Sequence, residues 1–207
     1  MARMSEGPRT SGGRGAVRLA LGFAVVVALL VAVLWWRGDL PSGDEPSAEA
    51  PAVTTPRRVG DFTLDRSDPA RTFKSDVERQ LSAQSAGSQV TVGTYGGPDG
   101  QIVLVGTVFD ADSDPRNSLG ADPGNAVRDY LREVGLEDLR AAESGQLGGE
   151  LVCAHEPDDG PVTCAWGDET GVLVTLRFAT GDLATASVRE AAEVTRTFLA
   201  AVLAPAG

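Results

Sequence analysis

Residues 149–178 read GELVCAHEPDDGPVTCAWGDETGVLVTLRF, and the way they pair decides the fold. Two short apolar runs, each holding one cysteine, flank a segment rich in proline, aspartate and glycine. Such turn chemistry between two strand-like runs signals a hairpin. With Cys153 opposite Cys164, the register sets Leu151 opposite Trp166 and His155 opposite Val162. Side chains alternate along a strand, so Leu151, Cys153, Cys164 and Trp166 share one face. A second turn, through Gly167 and Gly171, brings Val172, Val174, Leu176 and Phe178 onto that same face. The reading is three strands, at 149–155, 161–167 and 170–178, with an inward-facing disulfide beside a tryptophan. Closing a loop of about a dozen residues contributes ~3 kcal/mol in the chain-entropy model. There is no C-x-x-C spacing, so Cys153 and Cys164 read as a structural pair.

Upstream, Asp68-Pro69 opens a helical pattern, with Asp as N-cap and Pro at the first helical position. Phe73, Val77 and Leu81 then recur at helical spacing and predict a helix over 69–84. Strands are expected at 89–95 and 101–109, joined by the turn Gly97-Pro98-Asp99-Gly100. Ile102 to Val105 is apolar on both faces, the mark of a central strand. Asp122-Pro123 repeats the helix start, and Val127, Tyr130, Leu131 and Val134 follow before Gly135 ends the helix. The stretch 136–148 is irregular and glycine-rich, and no element is assigned to it. Ser187 and Glu190 form a capping-box pattern for a last helix over 187–203. Its inner stripe is Val188, Ala191, Thr195, Phe198 and Val202. This order predicts an α+β domain, an antiparallel sheet of about five strands with helices on one face, preceded by one transmembrane helix.

That transmembrane helix is read from the N-terminal part of the chain. Leu19–Trp36 is an unbroken apolar run of 18 residues, LALGFAVVVALLVAVLWW. At ~1.5 Å per residue it spans ~27 Å, close to the hydrocarbon thickness of a bilayer. Arg18 and Arg37 flank the run, and Trp35 and Trp36 fit the aromatic belt at one membrane interface. Arg3, Arg9, Arg14 and Arg18 precede it, whereas Asp39, Asp44, Glu45 and Glu49 follow. The positive-inside rule therefore places residues 1–18 as a cytoplasmic basic tail and residue 37 onward outside. A cleaved signal peptide needs small residues soon after the run, but Trp35-Trp36-Arg37 is bulky. The run reads as an uncleaved signal-anchor. Residues 37–59 carry Pro41, Pro46, Pro51 and Pro56 among small and acidic side chains, a composition expected to stay a disordered linker. Residues 60–207 are then the extracytoplasmic domain.

The chain of 207 residues has 18 Lys+Arg against 29 Asp+Glu, a net charge of −11. Within residues 60–207 there are 11 basic and 24 acidic side chains. Phosphate recognition needs a basic face, so this balance excludes nucleic acid as a general partner. The alternating carboxylates Asp110, Asp112 and Asp114 resemble the start of a calcium loop. Pro115 stands where that loop needs glycine, however, and Ala121 where it needs a bidentate glutamate, so the segment reads as an acidic loop, with a weak divalent-cation site as the alternative. His155 lies near Glu156, Asp158 and Asp159, a polar hairpin tip with weak metal character. There is no G-x-S-x-G elbow, and with one histidine in the chain no catalytic constellation is visible. The expectation is a non-enzymatic protein without a cofactor.

The anchor, the Pro/acidic linker, and Gly148-Gly149-x-x-x-Cys153 followed by Cys164-x-Trp166-x-Asp168 resemble uncharacterised membrane-anchored exported proteins of high-GC bacteria. The resemblance implies a membrane-anchored domain and carries no activity or catalytic residue. Together these readings describe a single-pass protein of the cell membrane, with a disulfide-bonded outer domain acting as a binding or interaction module. Its expected partners are membrane lipid, through the anchor, and an envelope protein or cell-surface ligand. The alternatives are a carboxylate-dependent hydrolase of envelope material and a regulator of membrane signalling.

Overall fold

The hairpin defined by the two cysteines folds in the register set out above. Cys153 pairs with Cys164, Leu151 with Trp166 and His155 with Val162. A computed structural model describes residues 52–83, 88–109, 122–158 and 160–203. In chain order the elements are β1 (Arg58–Val59), β2 (Phe62–Leu64), α1 (Asp68–Ser82), β3 (Gln89–Gly97) and β4 (Gly100–Val108). They continue as α2 (Pro123–Glu133), β5 (Arg140–Ala142), β6 (Glu150–His155), β7 (Val162–Gly167), β8 (Val172–Thr180) and α3 (Val188–Val202). Among the described residues the strands form one antiparallel sheet of eight, in the order β1-β2-β3-β4-β8-β7-β6-β5.

The α+β class holds, and two finer expectations are corrected. The sheet has eight strands rather than about five. β1, β2 and β5 are two or three residues long, too short to show any alternation in the sequence. The helices also divide between faces instead of sharing one. α3 covers the face that carries Leu151, Cys153, Cys164, Trp166, Val174, Leu176 and Phe178. On the opposite face, Val127 and Leu131 of α2 pack against Val152, Ala154, Ala165 and Leu173. Val152, Ala154, Ala165 and Leu173 make β6, the end of β7 and the start of β8 apolar on this face too, so that part of the sheet needs cover on both sides.

Helix ends follow local chemistry. Ser187 and Glu190 make the reciprocal capping box, and Asp122 accepts the Asn125 amide at 3.0 Å. Gly135, at φ +85°, ends α2 and lets the Leu136 amide return to the Leu131 carbonyl at 3.0 Å. Only glycine enters that left-handed region without strain. For α1 the cap is Ser67, not Asp68, and its side chain accepts the Ala70 amide at 3.4 Å. Asp68 instead pairs with Arg71 one turn on. Thr195 lies fully buried in α3 because its hydroxyl donates to the Ala191 carbonyl at 2.8 Å.

The end of the expected linker belongs to the fold. Residues 52–59 form a strap across the sheet on the α3 side. The Thr54 amide donates to the Val202 carbonyl at 2.9 Å, and the Thr91 hydroxyl to the Val53 carbonyl at 3.2 Å. The Tyr95 hydroxyl donates to the Pro56 carbonyl at 3.1 Å, while its ring stands edge-on to Phe198 at 5.1 Å. Val53 fills the notch left by Gly106, where an added Cβ would lie 2.4 Å from Val53 Cγ1. Composition hides this because the two apolar anchors, Val53 and Val59, are diluted among proline, threonine and arginine. The run Leu19–Trp36 and residues 37–51 lie outside the described residues. No helix among the described residues is long and apolar enough to cross a membrane.

Gly106→Ala is expected to destabilise the protein by about 1–3 kcal/mol through overpacking, measured by urea denaturation. Val53→Ala in the same chain should recover part of that loss, whereas additive losses would show that the strap does not occupy the notch. Burial pushes the Tyr95 hydroxyl from its usual 10 up to about 12. The folded state therefore holds a proton that the unfolded chain has released, so this stability is complete below pH 10 and falls as pH rises toward 12. Urea midpoints across that window should show the decline, and Tyr95→Phe should make it shallower.

Candidate functional site

Cys153 and Cys164 form a disulfide between directly opposed residues of β6 and β7, with Cα atoms 4.0 Å apart. Both residues are fully buried. Beside them Trp166 donates its indole N–H to the Gly148 carbonyl at 2.9 Å, tying the chain ahead of β6 onto β7. An indole N–H inside a core requires such a partner. The disulfide and this bond hold the hairpin that frames the two regions described next.

The same register pairs Glu150 with Gly167, which brings Glu150 close to the turn after β7. Glu150, Asp168, Glu169, Thr170, Gly149 and Pro123 line an open concavity of about 400 Å³ at the N-terminus of α2. Asp168 Oδ1 is committed to its own turn. It accepts from the Thr170 amide at 3.0 Å, the Thr170 hydroxyl at 2.7 Å and the Val172 amide at 3.3 Å. Arg128 Nη2 stands 4.0 Å from Glu150 Oε2, enough to offset one of the charges. The concavity is thus an acidic rim that accepts hydrogen bonds. No group of three or more His, Cys, Asp or Glu among the described residues is arranged to hold a metal ion.

On the face that α2 covers, Arg177 of β8 grips Glu156 with two bonds, Nε to Oε1 at 2.5 Å and Nη2 to Oε2 at 2.8 Å. Planar, bidentate pairing of this kind fixes both side chains. Neighbouring Thr163 and Val103, paired with Arg177 on either side, are buried. Farther along β8 the Thr175 hydroxyl reaches the Tyr130 hydroxyl at 3.5 Å. Burial raises the Tyr130 pKa, and the Thr175 contact partly opposes that rise. The strip therefore presents a neutral tyrosine, a threonine and a locked ion pair.

The sequence-derived candidates fare unequally. Cys153 and Cys164 come together. His155 Nδ1 lies 3.3 Å from the Gly160 carbonyl within the hairpin turn. Glu156 turns to Arg177 and does not join His155 and Asp158. Asp110, Asp112 and Asp114 lie outside the described residues, as do Arg18, Trp35, Trp36 and Arg37. Sequence reasoning missed Arg177, although a signal existed. Arg177 is the only charge in VLVTLRF, and alternation places it on the face opposite Leu176 and Phe178.

Replacing both cysteines by alanine is expected to cost about 3 kcal/mol of stability, read from the urea midpoint. Thiol labelling of the denatured, unreduced wild-type chain should modify neither cysteine; labelling of both would overturn the pairing. Comparison with protein-family models, curated proteins and solved structures finds no match to the chain, so its functional reading rests on its own residues.

Proposed function

We propose that the chain is a single-pass membrane protein whose disulfide-bonded domain works outside the cytoplasm as a tethered binding module. The observation that carries this reading is the uninterrupted run Leu19–Trp36, with arginines before it and acids after it. The buried cross-strand disulfide supports it, because such bonds persist in oxidising compartments and are rare in the cytosol. Tethering raises the effective concentration of the module toward partners near the membrane. The partner is an envelope protein or a cell-surface ligand. An excess of acidic side chains in residues 60–207 favours neutral or basic surfaces over acidic ones.

Limited proteolysis of intact cells tests the placement, using a chain tagged at both ends. Cleavage within residues 37–51 should release the C-terminal tag to the medium and leave the N-terminal tag with the cells. Protection of the C-terminal tag until lysis would overturn the orientation. Cross-linking in native membranes, against an anchor-only control, should recover a partner that depends on residues 52–203. Recovery of polysaccharide or lipid alone would favour an envelope ligand, or hydrolysis of envelope material, over a protein partner.

A further inference from the structure

α3 is capped at one end by its own residues and at the other by a distant one. Its N-terminus is closed by the Ser187–Glu190 capping box. Its C-terminus has no basic side chain in the last turn. Leu203 follows at φ −90°, without the left-handed glycine that ends α2. The last four carbonyls of a helix have no partner within it. At Val202 the missing partner comes from the strap, 148 residues away. The Thr54 amide donates to the Val202 carbonyl at 2.9 Å and the Thr54 hydroxyl at 3.2 Å. Val202 itself is fully buried.

The strap delivers that cap without joining the sheet. Val53 sits in the Gly106 notch, and the Thr55 methyl lies 3.1 Å from where a Cβ on Gly93 would stand. The remaining bonds run from the Thr91 hydroxyl to the Val53 carbonyl and from the Tyr95 hydroxyl to the Pro56 carbonyl. Each of these bonds uses a side chain or a helix end, and strand register begins only at Arg58. Residues 53–56 can therefore lift away with all eight described strands still paired.

We infer that residues 53–56 are a latch on the end of α3 that opens when the preceding linker is pulled. Seated, the latch caps Val202 and plugs the Gly106 notch. Lifted, it leaves the Val202 carbonyl without its donors, so the last turn of α3 frays. It also bares the channel over Gly93 and Gly106 beside Tyr95. A pull enters at residue 52, and Val53 and Thr54 are the first contacts that it meets. The latch thus joins the state of the linker to a helix whose Phe198 packs on Phe62 and Tyr95. The coupling of strap to helix stands on these contacts alone. Only the source of the pull rests on the tether proposed above, which proteolysis of intact cells tests separately.

The test is amide exchange on the full chain in mild detergent, with rising urea below the unfolding transition. The Thr54, Val202 and Leu203 amides should exchange through one common opening, less dependent on urea than the core amide of Val174. Val53→Asp puts a charge into the notch and lifts the latch. That variant should stay folded, with Val202 and Leu203 exchanging within about tenfold of unstructured-chain rates while Val174 stays protected. Arg58→Gln, an exposed change on β1, should alter none of these rates. A folded Val53→Asp chain whose α3 end keeps its wild-type protection overturns the inference. So does a wild-type chain in which Thr54 and Leu203 exchange only together with Val174, a comparison that decides if the variant fails to fold. Pulled in magnetic tweezers by its N-terminal segment against a C-terminal tag, the wild-type chain should lengthen reversibly before the main unfolding step. The early step should measure about 10–14 Å, four residues of extended strap, and Val53→Asp should lack it. Rupture of the wild-type chain in a single step overturns the pull as the trigger.

Discussion

The pairing of β4 with β8 is the constraint on which the rest of the sheet depends. Strands from Gly100–Val108 and Val172–Thr180, far apart in the chain, lie side by side at the centre. On one side β1 to β4 form a meander, and on the other β5 to β8 form a second. Neither half encloses a core alone. Joined, they align Ile102 with Phe178 and Leu104 with Leu176 under α3, and every one of these side chains is fully buried. A slip of one residue would turn that row to the opposite face, so the packing against α3 enforces the register.

The same parity explains why the helices part company. Residues that face away from α3 in β6, β7 and β8 include Val152, Ala154, Ala165 and Leu173. They are apolar or small and accept Val127 and Leu131 of α2. Near β3 the second face ends differently, with α1 beside the edge and the Arg177–Glu156 pair farther along. One face is thus a continuous core beneath one helix. The other is divided between two helices, with polar side chains on the strip between the regions they cover.

What the sequence revealed followed the range of the interaction. Caps at Asp122 and Ser187 and the end of α2 at Gly135 are set within four residues, so they were legible. The 153–164 register was legible as well, because two cysteines in one hairpin admit a single inward pairing. Strands of two or three residues were not, since β1, β2 and β5 exist only because longer neighbours hold them. Ser67 and Asp68 are both competent caps. In the fold Ser67 takes the cap and Asp68 pairs with Arg71, a detail of side-chain direction that residue identity does not carry. Glu156 shows the same limit at longer range. It belongs to a polar turn in the sequence, yet it points to Arg177, 21 residues on. The Glu150 and Asp168 concavity was implicit in the hairpin register, but only the positions of α2 and the following turn give it walls.

The strap links this architecture to the proposed tether. It runs alongside β3 in the same direction, with Val53 near Thr91 and Pro56 near Tyr95. Residue 52 therefore enters at the end of the sheet where β4 stops and β8 begins. The Glu150 and Asp168 concavity is at that end, because Gly167 is paired with both Glu150 and Leu173. At the far end lie the β3–β4 turn, the β6–β7 turn and the short helix Asp182–Thr185. A pull on residue 52 would load the Thr54–Val202 bond and the Val53–Gly106 contact before it reached any ladder bond of β3 or β4. Within the proposed arrangement, a partner meeting the far turns approaches from the side opposite the entering chain. A ligand of the acidic concavity shares its end of the sheet with the tether. The fold thus gives the two surfaces different access, and their separation follows from the direction in which eight residues of strap cross the sheet.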